Sequence, residues 1–97
     1  MAKKKTKTSL YDSVEYLNST KAISAYMEEA LETKDPAFIA KALGTIARAR
    51  GMSQTAKKAG LSRESLYKAL SKEGNPEFST IMRVMHALGL QFSVTSI

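Results

Sequence analysis

The stretch Met52-Ser-Gln-Thr-Ala-Lys-Lys-Ala-Gly-Leu-Ser-Arg-Glu-Ser-Leu-Tyr-Lys-Ala-Leu70 limits the fold more tightly than any other part of the chain. Ser53 can cap a helix over Gln54 to Ala59, Gly60 tolerates the backbone of a sharp turn, and Ser62 can cap a second helix from Arg63 to about Lys72. Small Ala56 and Ala59 allow the two helices to approach closely, while Leu61, Leu66 and Leu70 face inward. The spacing therefore predicts a helix-turn-helix over about residues 54–71. Such a unit presents the start of its second helix to a DNA major groove about 12 Å wide.

The flanking sequence supplies further helices. Leu10, Val14 and Leu17 repeat at helical spacing, and Asn18, Ser19 and Thr20 break that pattern and can cap a second helix whose apolar face is Ile23, Met27, Ala30 and Leu31, opposite Glu28, Glu29 and Glu32. Asp35-Pro36 is a strong start signal, because the carboxylate accepts from free first-turn amides and proline there sacrifices no hydrogen bond. The helix it opens runs to about Arg50, with Ile39, Leu43, Ile46 and Ala47 inward and Gly51 as its stop. After the breakers Glu73-Gly74-Asn75-Pro76 a last helix carries Ile81, Val84, Met85 and Leu88 and stops at Gly89. Leu90, Phe92 and Val94 then alternate with polar residues, the pattern of one short strand. Residues 1–9 read as a flexible basic tail, 10–35 as an acidic helical segment and 36–97 as the helix-turn-helix domain.

Charge is unevenly distributed. Residues 36–72 hold eight Lys or Arg against Glu64 alone, whereas residues 8–35 carry Asp12, Glu15, Glu28, Glu29, Glu32 and Asp35 against Lys21 and Lys34. A positive excess confined to one stretch suggests a polyanion-binding face, and the acidic segment a different partner. With no cysteine and one histidine, His86, the chain lacks the means for a thiolate or histidine-cluster metal site, and no cofactor is expected. His86 is expected to be structural. No Ser, His and carboxylate spacing or glycine-rich phosphate loop suggests an enzyme. No apolar run approaches the roughly 20 residues of a membrane span, so a cytoplasmic protein without membrane partners is expected.

Residue roles follow from helix geometry. Arg63, at the exposed start of the second helix, is the leading base reader, since a guanidinium pairs bidentately with guanine. Glu64 either accepts from cytosine N4 or orients Arg63. Gln54 is placed for phosphate contact with backbone amides, and Lys57, Lys58 and Lys72 for further phosphates. Ser62, Tyr67 and Lys68 share the exposed start of the second helix or the turn after it, and Thr55, Ser65 and Asn75 complete the contact set.

Ser53-Gln54, Ala56, Gly60-Leu61-Ser62, Leu66, Leu70, Gly74-Asn75-Pro76 and Ala87-Leu88-Gly89-Leu90 resemble the phage-repressor-like, or Xre-type, helix-turn-helix family. The resemblance spans about Pro36 to Leu90. Ile46 to Ser53, Gly60 to Leu70, Gly74 to Phe78 and Val14-Glu-Tyr-Leu17 are similar to its addiction-module antidote subgroup, the HigA-like antitoxins. Tyr67 and Lys68 depart from the pattern of many Xre domains, so base preference does not carry over. The resemblance implies an all-α, lambda-repressor-like domain of four to five helices, with an N-terminal helical extension and the short C-terminal strand. It further implies a homodimer that represses its own promoter at a palindromic double-stranded operator, and neutralises a small basic toxin of the RelE/ParE type. Glu28, Glu29 and Glu32 would face that toxin. A stand-alone Xre-type regulator without a toxin is the alternative, and an adjacent small basic reading frame would discriminate the two.

Overall fold

Local hydrogen bonding explains where each helix begins. In the computed structural model, which describes residues 19–71 and 75–97, Ser19 is extended and its Oγ accepts from the Ala22 amide at 3.1 Å, opening α1, Thr20–Glu32. Asp35 Oδ1 accepts from the Ala37 amide at 3.1 Å and, with proline in the first turn, opens α2, Pro36–Arg50. Between them, Thr33 donates its hydroxyl to the Ala30 carbonyl at 2.6 Å and accepts from the Asp35 amide at 3.1 Å, closing one helix and aligning the next. The expected tail, the helix over Leu10, Val14 and Leu17, and Lys72 lie outside the described residues.

Gly51 (φ 106°) ends α2, and α3, Met52–Ala59, follows directly. This corrects the expected start: no side chain caps α3, and Ser53 already sits inside the helix. Gly60 (φ 73°) lies in the left-handed region, and the Leu61 amide reaches back to the Ala56 carbonyl at 2.8 Å. Ser62 Oγ then accepts from the Ser65 amide at 3.0 Å, opening α4, Arg63–Ala69, which ends earlier than the expected Lys72. The last helix, α5, is Phe78–Ala87, closed by Gly89 with the Leu90 amide donating to Met85 at 2.8 Å.

The described residues contain five helices around one core. Ile23, Leu43, Ile46, Leu66 and Val84 are its largest fully buried side chains, and Met27 and Ala30 place α1 in the same cluster. Leu31, expected on the inner face, is instead exposed. Gly44 explains a close approach: a Cβ there would stand 3.2 Å from the Leu70 carbonyl oxygen, so α2 lies almost against the end of α4.

The expected C-terminal strand does not form, and no strand occurs among the described residues. Alternating apolar residues cannot hold a strand without a neighbour to pair its backbone. Leu90 packs on the core, the Phe92 ring lies 5.7 Å from that of Phe78, and Val94 and Ile97 are exposed.

Candidate nucleic-acid interface

The α3–α4 pair divides into an apolar and a polar side. In α3, Met52, Thr55, Ala56 and Ala59 are buried at spacings of three and four, which turns Gln54, Lys57 and Lys58 to the surface. In α4 only Leu66 is buried, leaving Ser62, Arg63, Glu64, Ser65, Tyr67 and Lys68 exposed at its start and along its outer face.

One of the expected contacts is corrected, and another is placed apart from the α3–α4 pair. Thr55 is 3% exposed, because the helical phase set by Met52 and Ala56 carries it into the core, and it leaves the surface set. Asn75 is exposed, but lines an apolar hollow with Pro36, Phe78 and Ile81 to which α3 and α4 contribute no residue.

Arg63 carries a feature that single-residue reasoning missed. Its guanidinium carbon lies 5.5 Å from the centroid of the Tyr67 ring, one helical turn on. The Tyr67 ring thus lies within cation–π range of Arg63. A stacked guanidinium keeps its donor edge free, and limiting its rotation reduces the entropy lost when that edge pairs.

A second arginine was also missed. Arg83 of α5 donates from Nε to the Ala59 carbonyl and from Nη2 to the Gly60 carbonyl, each at 3.0 Å. These are the carbonyls that the end of α3 leaves without helical partners. A Cβ on Gly60 would stand 3.0 Å from the same Nη2, so glycine serves both the left-handed turn and the fork. The signal available in sequence was a lone basic residue in the final helix, but its partners lie 24 and 23 residues away. Arg83→Ala is expected to lower unfolding stability by about 1 kcal/mol, the usual net worth of hydrogen bonds that compete with water, one of these being partly buried and the other exposed. Arg83→Lys should not restore it, because one ammonium cannot reproduce the fork. An unchanged urea midpoint in Arg83→Ala would show that the turn holds without it.

Lys41, Arg48, Arg50, Lys57, Lys58, Arg63 and Lys68, the described cations of the basic stretch, are all exposed. Glu28, Glu29 and Glu32 lie exposed on α1. His86, expected to be structural, is on the surface of α5. Phe38 and Phe78 are exposed, as is Met82, while Met27, Met52 and Met85 fill the core. Among the described residues no group of His, Asp or Glu could hold a metal ion, and no helix is long and apolar enough to cross a membrane.

Comparison with known proteins extends these observations to nearly the whole chain. An uncharacterized protein of Haemophilus influenzae is 55% identical over 84 residues, 87% of each chain. No solved structure matches. Residues 7–96 match the family described as "Probable addiction module antidote protein", and this chain belongs to that family.

Proposed function

We propose that the chain is the antitoxin of a type II toxin-antitoxin module, in which α3, the Gly60 turn and α4 form a helix-turn-helix that binds operator DNA. The observation that carries the reading is the Arg63–Tyr67 stack at the exposed start of α4, flanked on α3 by exposed Gln54, Lys57 and Lys58. Arg63 reads a base edge, Gln54, Lys57, Lys58 and Lys68 meet phosphates, and Ser62, Glu64 and Ser65 border the base-reading position. The arrangement of five helices is lambda-repressor-like, and the protein works in the cytoplasm. Glu28, Glu29 and Glu32 on α1 attract a small basic toxin of the RelE/ParE type, away from the cationic face.

One unit covers little of a duplex, so repression of the operon is assigned to a homodimer on a palindromic operator, with its two recognition helices about 34 Å apart. The test joins two measurements on the full chain. It should bind its own promoter in a salt-dependent manner, sedimenting there as a dimer, and it should capture the small basic protein encoded beside it. Promoter binding without capture would favour a stand-alone Xre-type regulator. Capture without salt-dependent binding would remove the DNA role.

A further inference from the structure

Two hollows lie beside α1, and neither is lined by a residue of α3 or α4. One, of about 550 Å³, is bounded by Met27, Glu28, Glu32, Met85, Leu90 and Ile97. The other, of about 500 Å³, is bounded by Asp35, Pro36, Ile39, Phe78 and Ile81. Leu31 and Phe92 line both, so the hollows form one trough astride that pair. Phe78 is 67% exposed, Phe92 38% and Leu31 37%, an apolar strip that the described residues leave open, of the sort that marks a binding site.

The charges along the trough favour one kind of occupant. Glu28, Glu32 and Asp35 line it against a single cation, Lys34, in a chain whose net charge is +6. A nucleic acid or an anionic lipid surface would meet three carboxylates. A second copy seated symmetrically would bring two such acidic sets together. A basic segment with apolar side chains meets neither obstacle: its cations face the carboxylates and its apolar groups enter the hollows.

We infer that this trough seats a basic amphipathic segment of the toxin, so that the C-terminal residues Leu90, Phe92 and Ile97 join α1 in one binding surface. The inference rests on the antitoxin reading and deepens it. The α1 carboxylates speed encounter, and the apolar strip around Leu31 and Phe92 sets the lifetime of the complex.

The test uses the full chain and, as probe, the purified basic protein encoded beside it. Leu31→Ala and Phe92→Ala should each weaken capture about tenfold, chiefly through faster dissociation. Glu28→Gln with Glu32→Gln should slow association at low salt and matter little at high salt. Retained promoter binding checks that each variant is folded, and the exposed glutamate pair keeps the proposal testable if an apolar variant unfolds. Unchanged capture by Leu31→Ala/Phe92→Ala, with the wild-type chain binding the probe, overturns the trough and leaves the antitoxin reading intact. A dimer that dissociates on Phe92→Ala while capture persists assigns the trough to a second copy and overturns the inference. If the wild-type chain captures nothing, both fall together.

Discussion

Leu66→Ala is expected to lower the unfolding free energy by about 2–5 kcal/mol, the usual loss for a fully buried leucine. Leu66 is 0% exposed and is the buried residue of α4, held in one cluster with Ile46, Ala56 and Val84. Small domains have only about 5–15 kcal/mol of stability in all, so a substantial fraction of it depends on this side chain. Urea denaturation should show a lower midpoint with an unchanged slope. A loss below about 1 kcal/mol would mean that α4 is held by something other than its core anchor.

The second large effect concerns specificity. Arg63→Ala is expected to lose about 1–3 kcal/mol on the operator and little on random duplex. Lys57→Ala should weaken both duplexes and reduce the salt slope by about one phosphate contact. The Tyr67 stack refines the expectation: Tyr67→Phe keeps the ring face and should bind nearly as wild type, whereas Tyr67→Ala should reproduce part of the Arg63→Ala loss. Equal losses on operator and random duplex for Arg63→Ala would remove it as a base reader.

What could be read from the sequence was governed by range. The Ser19, Asp35 and Ser62 caps and the Gly60 turn depend on atoms no more than a few residues apart, and the structure forms each of them. The placement of Thr55 was also local in principle. Met52, Ala56 and Ala59 set a helical phase that buries it, but a helix started at Gln54 leaves Met52 out and hides that phase. The strand over Leu90 to Val94 was overread from alternation alone, which fixes neither a partner nor a ladder. Arg83 and the trough around Leu31 and Phe92 join segments far apart in the chain, so no local pattern named the partners of either. The roles of the surface residues stand apart from all of these, because exposure makes a contact available without naming what it meets.

The seven-residue length of α4 bears on whether recognition can be transplanted. A helix of two turns is far below the roughly 12–15 residues at which an isolated peptide holds helical shape in water. Cut out as a peptide, Ser62 to Ser71 would keep its letters and lose its geometry, because Leu66 and Leu70 would have nothing to bury against. Moving this reading head into another protein therefore means carrying the core cluster in which those leucines are buried, together with the Arg83 fork that holds the turn before it.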